Sequence, residues 1–425
     1  MSEIIYESNI EFAQLLDQKD PLKSYRDSFL FPQRNGKNAI YFCGNSLGLQ
    51  PKSVSEHVNY ELKKWAENGV EGHFDSDPWV GHHKKGKKTM AMLVGAKEHE
   101  VVAMNNLTTN LHLMLASFYQ PKGIRKKILI EAGAFPSDYF AITSHMEQKN
   151  VNPSDDLIEI IPNEAGYFSI DHISEVINEA GHELALVLLP GIQYYSGQFL
   201  NIGEIAACAH RVGAYVGFDL AHAAGNVPLT LHHDEVDFAV WCSYKYLNSG
   251  PGNVSGAFIH ERHSKNTDFP RLAGWWGQDE TIRFKMENKF QPMSGIDGWM
   301  LSNANIISSA AHLASLALFE SADISQLREK SLLLTGYLYF LLTSNDNIQK
   351  KINILTPANE TERGCQLSLF FHEKGRKIFD ALTKEGVIMD WREPNVIRVA
   401  PTPMYNTFEE VKIFSDLLEH ILIEG

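Results

Sequence analysis

The sequence predicts an α/β protein in two lobes, a large one built on a mainly parallel sheet and a smaller α+β one. Three observations predict it. From about Val94 to Ser309, apolar runs of strand length alternate with helical stretches. Strands that are apolar on both faces belong to a parallel sheet covered by helices. After Ile306 the order changes to a long helical region followed by strand, helix, strand, strand and helix. The length, 425 residues, also exceeds what one ordinary core organises.

Residues 1–60 read as an N-terminal segment of short helices and loops, including "FCGNSLGLQP", that packs on the small lobe or on a dimer partner. The large lobe spans 61–308. Its strands are "KKILIEAG", "LIEIIP", "LALVLLP", "AYVGFDLAH", "FAVWCSY" and "GAFIHE", separated by helices such as "DHISEVINEAG" and "NIGEIAACAHRVG". The last of these stops at Gly213, a fitting C-terminal cap. The small lobe, 309–425, holds "CQLSLFF", "KIFDALTKEG", "VIMDW", "VIRVAP" and "FEEVKIFSDLLEHIL". The boundary falls near 305–315, inside a long helix.

Composition excludes several classes. Apolar residues make up 44% and charged residues 21%, as in an ordinary globular protein. A net charge of -14 argues against nucleic acid as a partner, and the basic run "KKGKK", Lys84 to Lys88, reads as a solvated helix face. Cys43, Cys208, Cys242 and Cys365 lack C-x-x-C spacing, which fits a reducing compartment without zinc or disulfides. The N-terminus has no signal-peptide pattern, and "LLLTGYLYFLL" is too short to cross a membrane. "HHDEVD", His232 to Asp237, reads as a surface loop, and no metal is expected. No G-x-G-x-x-G follows a strand, against a nicotinamide dehydrogenase. A cytoplasmic enzyme is the expectation.

Ligands of open α/β sheets bind beyond the carboxyl ends of the strands. Three predicted strands end in chemically useful residues: Asp219 with His222 behind it, Phe135 with Ser137 and Asp138, and Tyr244 with Lys245. A desolvated strand-end amine can attack a carbonyl as a Schiff-base lysine. Pyridoxal phosphate (PLP) is commonly held this way and needs a carboxylate opposite its pyridine nitrogen, which Asp219 can supply. Leu107, Thr108 and Thr109 open an apolar helix whose free N–H groups suit a phosphate. Phe135 can stack on the ring. Each residue also has a plainer reading: a surface lysine, an Asp that caps a helix, a Thr108 N-cap, a packed phenylalanine.

The motifs "YFCGNSLGLQP", "FPSD", "VGFDLAHAAGNVPL", "WCSYKYLNSGPG", "GWWGQ", "RFKM" and "IRVAPTPMYN" resemble kynureninase, in the same order and over nearly the whole chain. The resemblance implies a fold-type I PLP-dependent transferase fold with a seven-stranded sheet. It implies hydrolysis of L-kynurenine, or its 3-hydroxy form, to anthranilate (or 3-hydroxyanthranilate) and L-alanine. That reaction belongs to the kynurenine pathway of tryptophan catabolism, which feeds NAD biosynthesis. It implies a homodimer with shared active sites. Carried over residue by residue, Lys245 bears the coenzyme, Tyr244 binds its phosphate and relays protons, and Asp219, supported by His222, faces the pyridine nitrogen. Phe135 stacks on the ring, Ser137 and Asp138 lie beside it, and Leu107 and Thr108 bind phosphate. Trp275 and Asn303 match cofactor-site residues that reach in part into the neighbouring subunit's pocket. Ser46 and Ser302 match substrate-site positions, and Arg398 matches the arginine that grips the α-carboxylate, where a planar fork suits the task. His73, with Ser302 and Asn303, resembles the type that prefers 3-hydroxykynurenine. His73 reads otherwise as an exposed loop residue and Arg398 as a salt-bridge partner.

Two positions depart from the family pattern: Pro190, where relatives often carry a hydroxyl, and Gln278, where a histidine is common. Two other functions are weighed. A cysteine desulfurase shares Asp219 and Lys245 but needs a mobile cysteine, and Cys365 reads as packed. A non-catalytic regulatory module of the same fold would have no need to keep Lys245 and Arg398.

Overall fold

The computed structural model describes residues 5–424. Seven strands form the main sheet: β1 (Val101–Met104), β2 (Lys127–Glu131), β3 (Leu157–Ile160), β4 (Leu184–Pro190), β5 (Tyr215–Asp219), β6 (Phe238–Trp241) and β7 (Ser255–Ile259). Their order across the sheet is β1-β7-β6-β5-β4-β2-β3. Only β7 runs antiparallel to its neighbours. Six of these strands match predicted runs. β1, a four-residue "VVAM" run, has no counterpart among the predicted strands.

The strands are buried because both faces are covered. Leu129, Val187, Leu189, Val216, Phe218 and Trp241 join one core cluster, and Ile128, Ile130, Leu186, Leu188, Phe238 and Val240 join another. Each such large side chain contributes about 2 kcal/mol by leaving water. Gly217 of β5 is set by close approach: a Cβ there would strike the Phe238 ring on β6.

The chain reverses direction across the sheet between β2 and β4. β2 leads outward to β3, while β4 leads the other way to β5 and β6. Such a switch point opens a crevice at the carboxyl ends of the strands.

The second sheet contains β8 (Ile352–Ile354), β9 (Leu367–Phe371), β10 (Asp390–Arg392) and β11 (Val396–Val399), in the order β8-β9-β11-β10. Helices Ile324–Ser344, Gly375–Lys384 and Phe408–Glu424 share its core through Leu338, Leu382 and Phe414. The helical region after Ile306 is two helices, Ile306–Ser321 and Ile324–Ser344, the second capped by Asp323. Leu316, Phe319 and Leu327 still pack on the main-sheet core.

The N-terminal segment contacts elements around both sheets. Ile40–Tyr41 pairs with Val387–Ile388, and helix Ile10–Lys19 lies on Phe408–Glu424. The following loop lies on the Lys245 turn, where the N–H of Gly48 donates to the Tyr244 carbonyl at 2.8 Å. Only glycine fits at 48, because a Cβ would strike the Lys245 carbonyl.

The basic run is paired rather than merely solvated: Lys84 meets Glu280, Lys85 meets Asp77 and Lys87 meets Asp297. Among the described residues, no helix is long and apolar enough to cross a membrane.

Candidate active site

A cavity of about 290 Å³ lies at the crevice. The ends of β2, β4, β5 and β6 supply its walls: Glu131, Pro190, Asp219 and, just past β6, Tyr244 and Lys245. The start of helix Pro136–Gln148 adds Phe135, Ser137 and Asp138, and the start of helix Leu107–Phe118 adds Leu107 and Thr108. Asn45, Ser46, His222, Tyr194 and Arg392 complete it. Ten residues singled out from sequence thus share one wall system: Ser46, Leu107, Thr108, Phe135, Ser137, Asp138, Asp219, His222, Tyr244 and Lys245.

The helix at Leu107 is capped by Asn106, whose Oδ1 accepts from the Thr109 N–H at 3.0 Å. Thr108 is therefore not the cap. The first N–H groups of a helix have no intrahelical partner. Those of Leu107 and Thr108 stand at the cavity, a donor set for a phosphate.

Three carboxyls meet at the opposite wall. Asp219 closes β5, and its Oδ1 accepts from the Ala221 N–H at 2.7 Å. Burial raises its pKa, while a hydrogen bond from Asp138 and the charge of Lys245 pull the other way. Asp138 lies well above the usual carboxylate range through burial and then the adjacent Asp219 charge. Burial, with a smaller contribution from Asp219, pushes Glu131 up to about 8. The cluster therefore keeps protons near neutrality, with Asp138 able to donate to Asp219. Glu131 is absent from the residues the sequence predicts for the site, though it ends "KKILIE" as Asp219 ends "AYVGFD".

Lys245 Nζ lies 3.0 Å from His222 Nε2 and 6.0 Å from the Phe135 ring centre. His222 sits well below its ordinary pKa, first through burial and then through the Lys245 charge. It is neutral, so one ring nitrogen can accept. Its Nδ1 is buried without a partner. Phe135 is 41% exposed and meets Tyr194 edge-on at 5.3 Å, which leaves a face open to a flat ligand. Burial raises the Tyr244 phenol above its usual range, with Cys242 adding to it, so the hydroxyl stays a donor. An amine, a carboxylate cluster, an open aromatic face, an orphaned imidazole nitrogen and a helix N-terminus around one cavity fit pyridoxal phosphate.

Other expected site residues lie elsewhere in the subunit. Arg398 on β11 is fully buried beside the cavity rather than in its lining, and Arg392 on β10 reaches the cavity instead. Ser302 and Asn303, both exposed, line a separate space of about 380 Å³ with Asn106 and Thr109. Helix Leu107–Phe118 thus presents its first turn to both spaces. Trp275 is 50% exposed and its indole N–H donates to the Arg283 carbonyl at 3.2 Å. His73 packs edge-on against Trp79 at 5.2 Å, away from Lys245. Pro190 lines the cavity at the end of β4, whereas Gln278 is buried elsewhere, its amide donating to Lys289 and accepting from the Gln291 N–H. Cys365 is fully buried with Tyr246 and Ala400, its thiol pushed up to about 12 by burial. Among the described residues no cysteine lines the cavity.

Comparison with known proteins accords with this geometry. Residues 327–418 match the family model described as kynureninase C-terminal domain. A kynureninase of Flavobacterium psychrophilum is 48% identical over 99% of this chain and 100% of its own length. One of Xanthomonas campestris pv. campestris is 50% identical over 96% of each chain. Among solved structures, a cysteine desulfurase from Thermococcus onnurineus superposes with a TM-score of 0.76 at 16% identity, covering 91% of this chain and 95% of that one. That likeness is one of fold, the fold-type I architecture. The near full-length identities go further: the chain belongs to the kynureninase family.

Proposed function

We propose that the protein hydrolyses L-kynurenine, or its 3-hydroxy form, to anthranilate, or 3-hydroxyanthranilate, and L-alanine, with pyridoxal phosphate as coenzyme. The observation that carries this reading is the single cavity holding Lys245, the Asp138–Asp219 pair and the Leu107–Thr108 helix start. Membership of the kynureninase family supplies the substrate.

The reaction adds water across the bond between the β and γ carbons. The γ side leaves as a carboxylic acid and the β side as the methyl of alanine. Bound pyridoxal phosphate supplies the electron sink for the carbon that carries the bonding pair. The chain supplies the rest. Leu107, Thr108 and Tyr244 hold the phosphate, Phe135 fixes the ring plane, and Asp219 holds a proton opposite it with Asp138 and Glu131 behind. Lys245 Nζ takes the α-proton and gives it back as alanine forms, and neutral His222 Nε2 orients that amine by accepting from it. Tyr244, protonated throughout the working range, delivers a proton to the departing carbon. Arg398 and Ser46 receive the substrate α-carboxylate.

The preference for 3-hydroxykynurenine and the shared dimer site belong to the same proposal. Ser302, Asn303 and His73 stand away from Lys245, as residues serving a neighbouring subunit's cavity would. Around Trp275 the surface is unusually apolar: Phe74 is 66% exposed and Phe284 53%, the three rings forming an edge-on chain at 5.6 and 6.1 Å. Exposed aromatic clusters of this kind mark association surfaces, and a two-fold pair is the commonest assembly. A buried ring hydroxyl needs polar partners, which Asn303 and His73 offer. Four unpaired cysteines favour a reducing, cytoplasmic location.

The test is to add L-kynurenine to the purified coenzyme-loaded protein and follow anthranilate and alanine. Equimolar appearance of both is expected. Transamination or no reaction would overturn the reading.

A further inference from the structure

Asp390 on β10 lies between the two arginines nearest the cavity. Its Oδ1 is 2.8 Å from Nη2 and 3.0 Å from Nε of Arg398, and 3.1 Å from Nε of Arg392. Its Oδ2 accepts from the Ser46 hydroxyl, with Arg392 Nη2 at 3.4 Å. Two further Arg398 donors are engaged as well: Nη1 donates to the Tyr194 carbonyl at 2.7 Å and Nη2 to Ser46 Oγ at 3.2 Å. The Nε–Nη2 edge of Arg398, which a carboxylate would take bidentately, is thus occupied by the chain's own carboxylate. The hold is incomplete, because both N–H groups converge on one oxygen instead of pairing with two. Arg392, 36% exposed at its side chain, lines the cavity, and Arg398 does not. Two guanidiniums facing one aspartate leave a single positive charge, enough for one incoming carboxylate.

We propose that Asp390 is a built-in competitor for the substrate carboxylate: it holds the Nε–Nη2 edge of Arg398 until an incoming carboxylate, met first by Arg392, takes that edge from it. This rests on the reading of Arg398 as the carboxylate receptor and deepens it. The arrangement favours ligands with one carboxylate at this end, since a second would meet Asp390 with no cation left to offset it. A purely orienting Asp390 would have the opposite signature, because losing it would loosen the fork and weaken binding.

The experiment uses coenzyme-loaded wild type, D390N and R392Q, with propionate as a carboxylate-only probe titrated calorimetrically, alongside kcat and KM for kynurenine. D390N is expected to bind propionate about fivefold tighter and R392Q about tenfold weaker, with KM moving in the same directions and by more than kcat. D390S repeats the measurement should the amide disturb the fold. Equal or weaker propionate binding by both Asp390 variants overturns the inference, even where wild type turns over kynurenine. Tighter binding by them in a protein that leaves kynurenine intact supports the competition and sinks the substrate reading instead.

Discussion

Lys245 Nζ and His222 Nε2 stand 3.0 Å apart at the floor of the cavity, the imidazole held neutral by burial. The contact aims the amine without neutralising a charge. His222→Leu removes the acceptor and lets the amine swing. It is expected to lower kcat/KM about a hundredfold while the coenzyme remains bound. Steady-state kinetics beside a coenzyme absorbance check would measure this. Wild-type kcat/KM in the variant would show that the imidazole does not position the amine.

Asn303 lies exposed and outside the Lys245 cavity. If it serves a partner's substrate, Asn303→Leu should cut the ratio of kcat/KM for 3-hydroxykynurenine over kynurenine by about tenfold or more. An unchanged ratio would remove Asn303 from the substrate pocket.

Glu131 gives a pH prediction with a definite sign. Its folded pKa is raised by burial to about 8 from 4.5. The stability it allows is fully present below about pH 4.5 and is lost as pH rises through 8. Glu131→Gln mimics the protonated form. The cofactor-free variant should match wild type near pH 4.5 and melt a few degrees higher above pH 8. A constant difference between the two across that range would contradict the assignment.

Asp237 lies outside the cavity lining and joins β5 to the short helix Glu261–Ser264 after β7. It accepts from His210 at 3.0 Å, from His263 and Arg262 at 2.6 Å each, and from the Val216 N–H at 2.7 Å. Burial alone would raise its carboxyl, but the hydrogen bonds from His210 and His263 and the Arg262 charge bring it well below the usual range. Asp237→Asn leaves that cation without its counter-charge and is expected to cost about 3 kcal/mol. Urea unfolding would measure it, and a change under 1 kcal/mol would mean the network contributes little.

Most of the sheet was legible because its strands are continuous apolar runs bounded by turns. β1 was not, since four apolar residues directly after a helical stretch give no period to read. The reversed direction of β7 has no local signature either; its residues look like those of its parallel neighbours. In the site, Asp219 and Lys245 could be paired in advance because successive strand ends converge at a switch point. The choice between Arg392 and Arg398 could not, because it depends on the β10–β11 register, which sets Asp390 opposite Arg398. Glu131 carried the same strand-end signal as Asp219 but no neighbour such as His222 to draw attention to it. Ser302, Asn303, Trp275 and His73 needed the distances between separate cavities, which no linear spacing encodes.

Whether position 245 bears the coenzyme can be tested by chemistry alone. Reducing the coenzyme-loaded protein with borohydride fixes pyridoxal to the amine that carries it, and digestion with mass spectrometry then locates the label. The label is predicted on the peptide containing Lys245 and absent from Lys245→Ala. A pyridoxyl group on any other lysine, or on none, would contradict the account.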